Sequence, residues 1–306
     1  RYFHYGDSGN YPTLERWAWL LGKRREPLLG WFYNYMKRGD DFYDVLYETS
    51  DVPREEPYNR EPVRVFRRTG TSVFKSGWGK DDFVFVLRSG PFINHQHLDQ
   101  GSFWLADRGA TFIEERHGSS YYDDVLYQSW YTQPAGHSTI LIDGNRQSQR
   151  AGDPLVFAEG FEDYARTTHF LNGDFAAFVT GDIGHLYWGK VNGLERNVLY
   201  LKPRTLLMLD TAYPAERDAD ITMLYQTAFL KDIAAGGKRS TITKGDITLH
   251  ILHLAPEYMK VASVETPHYL GVLRGEGPLE REGMLTVTAR TNGAPLVAAN
   301  LLTTTM

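Results

Sequence analysis

Cysteine is absent from this sequence of 306 residues. Its absence excludes disulfide bonds, a thiol nucleophile and a thiolate metal site, and it leaves histidine and carboxylate side chains as candidate metal ligands. No apolar run approaches the roughly 20 residues that a membrane-spanning helix needs. The formal net charge of −5 gives no overall basic excess for nucleic acid, so an anionic polymer could be held only at a local basic site.

Aromatic side chains, by contrast, are abundant. They make up 14% of the residues, with 19 tyrosines and 7 tryptophans, and 29 glycines punctuate the chain. This composition is typical of β-sheet faces and of clefts that stack against sugars. Apolar residues at 42% and charged residues at 23% exclude a disordered protein.

The first part of the chain has a helical pattern. Apolar residues recur from Leu14 to Leu21 at intervals close to 3.6, Gly22 reads as a stop, and a second run extends over 27–37. Two such helices cannot form a core alone, so we expect residues 1–50 to need further partners. The start at Arg1 predicts a trimmed polypeptide. Residues 51–62, with three prolines and many charges, predict a linker.

From residue 63 to the end, short apolar runs alternate with turn residues. The turns include 107–109 and Asp143-Gly144, a pair that requires positive φ at both positions. This spacing predicts a mainly β chain, with a large antiparallel β-sandwich over residues 63–306. The predicted strands are 83–87, 102–106, 110–113, 139–142, 198–201, 205–209, 221–225, 247–254 and 285–289.

Two histidines, His95 and His97, lie in the segment GPFINHQHLD at residues 90–99. On a strand they would point to one face, about 6–7 Å apart. Two imidazoles placed in this way can share a metal, or one can bind metal while the other performs acid–base catalysis. Isolated histidines are ordinary polar residues in most proteins, but a His-x-His pair followed two residues later by Asp99 favours a site.

Further candidate ligands follow along the chain. A predicted strand ends at Glu114 and Glu115, whose side chains alternate in direction so that one points inward, and His137 precedes the predicted strand 139–142. His97, Glu114 and His137 would form a three-ligand zinc set on neighbouring strands. The alternative is that Glu115 is exposed to solvent and Glu114 merely ends its strand.

These segments resemble a known family. The chain reads HQHLDQGSFWLADRGATFIEERHGSSYY from residue 95 and HSTILIDGNRQ from residue 137. The pattern is similar to that of the heparinase II/III-like polysaccharide lyases, which include heparin, heparan sulfate and alginate lyases. The match covers residues 63–147 and extends more loosely through Arg196 and Asp210. The opening FHYGDSGNYPTLERWAWLLGKR resembles the last helices of the family's α/α toroid.

The resemblance implies a role for each matching residue. His95 matches the histidine that faces the substrate and is assigned acid–base or charge-neutralising work. His97 and His137 match metal ligands. Glu114 stands where the family more often has Asp, which keeps the carboxylate on a longer arm. The implied metal is zinc, or another divalent ion, in a structural position that joins three strands behind the cleft.

The implied reaction is β-elimination from a polysaccharide that contains uronic acid, such as heparin, heparan sulfate or alginate. A base removes the C5 proton of the uronate, whose carboxylate must be neutralised, and the 4-O-linked sugar leaves. His95 suits the base, because its unperturbed pKa of about 6.5 lies near operating pH. Arg116 and His117 suit binding of anionic sugar groups. Tyr121 and Tyr122 suit stacking on sugars, unless they form a surface cluster that covers a sheet edge.

The resemblance also implies partners and location. The family's principal Tyr and an Asn-His pair lie on the toroid, and the sequence contains no motif that matches them. We therefore expect a C-terminal part of a lyase, inactive without an N-terminal α/α toroid domain. The expected partner is an acidic polysaccharide, with neither nucleic acid nor a membrane. The implied location is the periplasm or the exterior of a bacterium.

Two other classes of protein remain open. A cupin-type metal-dependent oxidoreductase also uses His-x-His, a carboxylate and a later His. A cupin, however, has Glu a few residues after its second His, where this chain has Asp99. A non-catalytic carbohydrate-binding β-sandwich, with structural histidines, predicts glycan binding that His95→Ala leaves unchanged.

Overall fold

The computed structural model describes residues 14–36, 42–91, 97–114, 125–145, 165–187, 189–215, 217–267 and 281–306. The chain divides into two compact units, one ending at Glu61 and the other comprising Pro62–Met306. The described residues are mainly β with a few short helices, so the predicted fold class is confirmed. None of the described helices combines the length and the apolar character needed to cross a membrane.

The described residues of the first unit form three short α-helices. They are α1 (Leu14–Arg24), α2 (Pro27–Met36) and α3 (Phe42–Leu46), and the first two match the predicted pair. The apolar stripe of the sequence forms the core, where Ala18, Leu21 and Tyr33 are buried together with Val52. Val52 belongs to the segment predicted as a linker, so part of that segment packs on the helices.

The described part of the second unit contains seventeen strands, and every described pairing is antiparallel. The strands are β1 (Arg64–Phe66), β2 (Thr71–Lys75), β3 (Val84–Arg88), β4 (Phe103–Asp107), β5 (Ala110–Ile113), β6 (Ile140–Ile142), β7 (Arg166–Asn172), β8 (Ala176–Asp182), β9 (Val191–Leu201), β10 (Thr205–Pro214), β11 (Asp220–Thr227), β12 (Ile233–Ala234), β13 (Arg239–Lys244), β14 (Ile247–Ala255), β15 (Lys260–Glu265), β16 (Gly283–Arg290) and β17 (Leu296–Thr305).

These strands form three sheets. The first sheet has the order β1-β2-β3-β4-β5, the second β12-β13-β14-β17-β10-β9-β8-β7, and the third β15-β16-β11-β6. One apolar cluster draws on all three, including Phe103 from the first sheet, Tyr200 from the second and Tyr225 from the third. Alternate residues of β9 and β10 are buried, so one face of the eight-stranded sheet packs on this core.

The backbone of Asp143-Gly144 has the turn conformation that its sequence predicts. Both residues have positive φ, 52° and 65°, as the Asp-Gly pair predicts. The strand before the turn, β6, pairs with β11 of the four-stranded sheet. The residues 146–164 that follow lie outside the described part of the chain, so the predicted hairpin stays a prediction.

Candidate functional site

The structure brings His97 and His137 together in the interior of the β-unit. His97 lies in the loop between β3 and β4, and His137 lies between a short 3-10 turn, Pro134–Gly136, and β6. The side chains are 2% and 1% exposed. Their ring centroids are 5.2 Å apart, with the ring planes inclined at 50°. The two imidazoles therefore form a buried pair, although 40 residues separate them in sequence.

The local structure of these residues differs from the prediction. His97 and His137 both occupy loops, and Glu114 immediately follows β5. The β5 strand belongs to the five-stranded sheet, whereas the β6 strand after His137 belongs to the four-stranded sheet. The prediction that the three side chains lie on neighbouring strands is therefore wrong. Loops rather than a shared pleated face bring the two histidines together.

A buried tyrosine forms one wall of the histidine pair. Tyr127 contacts the His97 ring edge-to-face, with centroids 5.9 Å apart and planes at 83°. It opens a single π-helical turn, Tyr127–Tyr131, and such turns occur frequently at functional sites. The turn is tied to the histidine loop because Leu98 N donates to Thr132 O at 2.9 Å. Tyr127 therefore belongs to the candidate site, and its place beside His97 was not predicted from sequence.

Arg88 makes hydrogen bonds that hold the segment next to His97 in place. Its Nε donates to Oδ1 of Asp99 at 3.3 Å, and its two Nη groups donate to the carbonyls of Thr69 and Pro91 at 3.1 Å each. Asp99 also accepts from Gln100 Nε2 at 3.1 Å and is only 2% exposed. The Asp of the His-x-His-x-Asp motif thus orients the loop through a charge-assisted contact.

Gln226 fixes the segment that carries His137. Its Nε2 donates to Ala135 O at 2.8 Å, and its backbone N donates to Ser138 Oγ at 2.9 Å. Its carbonyl accepts from Glu114 N at 3.2 Å. The Gln226 side chain is 1% exposed. One residue of β11 therefore contacts the backbone of Ala135, the hydroxyl group of Ser138 and the backbone of Glu114.

Arg196 connects the two histidine segments to each other. Its Nη1 donates to Gly101 O at 2.5 Å, four residues after His97, and to Ser138 O at 3.0 Å, next to His137. Asp210 binds the other side of the guanidinium. Burial opposes the charge on Arg196, but the adjacent carboxylate outweighs burial and raises the pKa of Arg196 above its ordinary value. The cation is therefore permanent.

A glycine next to His137 permits the tight turn there. An added Cβ at Gly136 would lie 2.4 Å from the carbonyl oxygen of Trp130. No side chain tolerates that approach to a backbone atom. The π-helical turn and the His137 segment can pack together only because residue 136 has no side chain.

The implied zinc ion can be tested against these side chains. Two imidazoles on one tetrahedral zinc, with Zn–N bonds of about 2.0–2.1 Å, place their ring centroids roughly 5 Å apart. The His97–His137 separation of 5.2 Å fits that requirement. Among the residues that the structure describes, however, no three His, Asp or Glu side chains converge as a metal-binding group. The pair fits a metal, and Glu114 as third ligand stays a prediction.

The other predicted site residues cannot be placed. The candidate base His95 lies outside the described residues. So do the predicted substrate-binding residues, which are Arg116, His117, Tyr121 and Tyr122.

No role was predicted from sequence for the three supporting residues Arg88, Arg196 and Gln226. Only Arg196 has a sequence feature that could have indicated its role. It lies between Leu194 and Val198 on the buried face of β9, where a lone charge requires a partner. Arg88 contacts the carbonyl of Thr69, 19 positions earlier, and Gln226 contacts that of Ala135, 91 positions earlier. The residues next to Arg88 and Gln226 in sequence show no pattern that indicates these contacts.

Fold and motif together define the class of domain. The sequence over residues 59–282 matches the family model of the heparinase II/III-like C-terminal domain, and the chain belongs to that family. The suspected resemblance is thereby confirmed. No curated protein matches the sequence significantly.

Solved structures share the same architecture. Heparan sulfate lyase HepC from Pedobacter heparinus has a TM-score of 0.74 at 18% identity, over 99% of this chain and 43% of that one. A heparinase III structure has a TM-score of 0.76 at 13% identity, over 99% of this chain and 44% of its own length. These identities support similarity of fold alone. The chain spans less than half the length of either structure.

Proposed function

We propose that this chain is the β-domain of a polysaccharide lyase that cleaves an acidic, uronate-containing polysaccharide by β-elimination. The observation that carries the proposal is the buried His97–His137 pair, at matching motif positions of a heparinase II/III-like domain. The substrate class is a glycosaminoglycan, such as heparin or heparan sulfate, or alginate. The proposed location is the bacterial periplasm or exterior.

In this proposal the histidine pair is a structural centre behind the cleft. His97 and His137 would hold a zinc or other divalent ion, whose chemistry is to bind imidazole nitrogens tightly in a fixed geometry. Arg88 contacts the side chain of Asp99, and Arg196 and Gln226 contact backbone carbonyls of the two histidine segments. His95 is two positions before His97 in sequence, so in this proposal the histidine pair would support the catalytic residue.

The chemistry then needs a base, a group that neutralises charge and an acid. His95 would remove the C5 proton of the uronate, which creates a C4–C5 double bond as the 4-O-linked sugar departs. Arg116 and His117 would bind the substrate's anionic groups, and Tyr121 and Tyr122 would stack against its sugar rings. The remaining catalytic groups, including the tyrosine that protonates the leaving oxygen, would come from an α/α toroid domain.

The test is a cleavage assay of the complete gene product on a panel of heparin, heparan sulfate, hyaluronan, chondroitin and alginate. Formation of the double bond is followed by the ultraviolet absorbance of the unsaturated uronate. We expect cleavage of at least one polymer, a large loss of kcat in His95→Ala, and no activity from the 306-residue chain alone. His169→Ala is the matched control, because His169 is exposed on β7.

Two results would change this assignment. Absence of unsaturated product on the whole panel, with glycan binding that His95→Ala leaves intact, would identify a non-catalytic carbohydrate-binding domain. Cleavage by the 306-residue chain alone would overturn the role of the toroid while keeping the lyase activity.

A further inference from the structure

A cleft lies on the β-unit, on a part of the eight-stranded sheet away from the histidine pair. The first residues of β9 and the short 3-10 turn Gly184–Tyr187 line an open cleft with a volume of about 450 Å³. This is within the range of small-molecule sites in proteins. Its polar and aromatic lining consists of Asp182, His185, Asn192, Glu195 and Tyr213.

An aromatic ring forms one side of this cleft. Tyr213 on β10 is opposite Gly193 on β9, and an added Cβ at Gly193 would lie 3.0 Å from Tyr213 Cδ2. The absence of a side chain at Gly193 therefore lets the ring lie against the strand. The Tyr213 side chain remains 41% exposed, which leaves ring surface free for a ligand. An exposed ring of this kind is suited to the C–H face of a sugar.

Two carboxylates stand side by side next to this ring. Asp182 on β8 and Glu195 on β9 are directly opposite each other in the sheet register, so their side chains share the face that carries Tyr213. Gly184 N donates to Asp182 Oδ1 at 3.2 Å and orients that carboxylate. Like charges at opposite positions of a sheet destabilise it unless a ligand or cation compensates.

The cleft lining contains no lysine or arginine, and in the described part of the chain neither carboxylate forms an ion pair. Arg166 on β7 is directly opposite Asp182 and compensates that carboxylate in part, although it does not line the cleft. Glu195 has Thr211 as its other register partner, so no cation is opposite it. A divalent ion is not favoured either, because no three acidic or histidine side chains converge among the described residues.

We propose that this cleft binds a sugar ring with a free amino group, that is, an unsubstituted hexosamine. The ammonium group would donate charge-assisted hydrogen bonds to Asp182 and Glu195 and relieve their repulsion. The sugar ring would pack on Tyr213, whose face also attracts a cation. Asn192 donates to Pro214 O at 2.9 Å, which orients its amide so that Oδ1 can accept from a hydroxyl group. The same carboxylates would repel a uronate or a sulfate.

The experiment is an NMR titration of the 306-residue chain with four probes, read at the backbone amides of Gly184 and Gly193. The probes are glucosamine, N-acetylglucosamine, glucuronate and ethanolamine. We expect glucosamine to shift both amides. Capping the amine, or replacing the ring by the acyclic amine, should weaken binding by about tenfold or more. Glucuronate should not bind, and added salt should weaken glucosamine binding.

Variants of the cleft residues test separately the binding of the ammonium group by the carboxylates and the packing of the sugar ring on Tyr213. Glu195→Gln and Tyr213→Ala should each raise the Kd for glucosamine by about tenfold. Tyr213→Phe should preserve it, because the ring remains. Glu257→Gln and Tyr258→Ala are matched controls, since both residues are exposed and neither lines the cleft.

Three outcomes would overturn the proposal. They are equal affinity for glucosamine and N-acetylglucosamine, equal affinity for glucosamine and ethanolamine, and no shift with any probe at millimolar concentration. The readout is binding at Gly184 and Gly193 and involves no cleavage. Its failure therefore leaves the proposed lyase function standing, and failure of the lyase assay leaves this cleft untouched.

Discussion

Arg196 and Asp210 form a bidentate ion pair that is wholly buried between the sheets of the sandwich. Nε of Arg196 lies 2.7 Å from Oδ1 of Asp210, its Nη2 lies 3.1 Å from Oδ2, and neither side chain is exposed. The third nitrogen of the guanidinium, Nη1, donates hydrogen bonds to the carbonyls of Gly101 and Ser138. Every charge of the pair is therefore compensated, and the pair connects β9 and β10 to both histidine segments.

Removal of one partner should be costly, because it leaves the other charge buried alone. Arg196→Met is expected to lower the free energy of unfolding by about 3–5 kcal/mol, as for other broken buried pairs. Urea denaturation of the chain, followed by circular dichroism, measures this change. A combined Arg196→Met, Asp210→Leu variant should lose less than the two single losses added together.

An exposed ion pair supplies the control for this prediction. Arg290 and Asp220 are 3.1 Å apart, with side chains 58% and 47% exposed. Arg290→Met should cost less than about 1 kcal/mol, because solvent screens the pair. Equal losses for Arg196→Met and Arg290→Met would contradict the role given to the buried pair.

Gln226 should control the environment of His137. Gln226→Leu removes the donor to Ala135 O and leaves a buried carbonyl without it, at an expected cost of about 1–3 kcal/mol. Because Ala135 is two residues before His137, the ring signals of His137 in NMR spectra should also shift. Thr222→Val is the control on the same strand, where the Thr222–Thr288 hydroxyl contact is only partly buried. Unchanged His137 signals in Gln226→Leu would refute this connection.

Metal analysis separates the three predicted zinc ligands. His97→Ala and His137→Ala should each lower the zinc content of the purified protein, because their rings already have the spacing that one zinc requires. Glu114→Gln tests the carboxylate, and a loss of zinc in that variant would support it as the third ligand. His169→Ala is the control. Full zinc occupancy in His97→Ala would exclude His97 as a ligand.

His253 should make stability depend on pH. Burial lowers the pKa of His253 below its ordinary value, and its hydrogen bond with Asn300 opposes this effect in part. The unfolded chain therefore binds a proton at pH values where the folded chain does not. The free energy of unfolding should fall as the pH is lowered through about 6.5, the ordinary pKa of histidine.

The measurement for His253 is urea denaturation at pH values from about 7 to about 5. His253→Gln should show a smaller dependence on pH over this range than the unmodified chain. Thr222→Val, which removes no titratable group, should retain the full dependence. An identical slope in His253→Gln and the unmodified chain would refute the contribution of His253.

The sequence predicts strands best where apolar residues run together. The predicted strands 83–87, 110–113 and 247–254 correspond to β3, β5 and β14 within one residue at each end. The pattern misses β7 and β13, whose sequences RTTHFLN and RSTITK are largely polar, and it also misses the more apolar β8 and β17. Those strands are stabilised by pairing with neighbours in the eight-stranded sheet, and a local pattern cannot show that pairing.

The candidate site is predictable from sequence only in part. The motif singles out His97 and His137, which the structure brings together. The predicted strand positions of His97 and His137 are wrong, because both residues lie in loops. Tyr127 and Gln226 reach the histidine segments only through tertiary packing, so nothing in their own neighbourhood in sequence indicates a role.

The contacts of Arg196 have a consequence for the order in which the domain folds. The carbonyls that it binds precede it by 95 and 58 positions. Contacts over such separations close large loops and form late, after local hairpins. On a ribosome, a nascent chain that has emerged only as far as β6 would contain both histidines but would lack Arg196. We therefore expect the histidine pair to acquire its fixed spacing only after β9 and β10 have joined the sandwich.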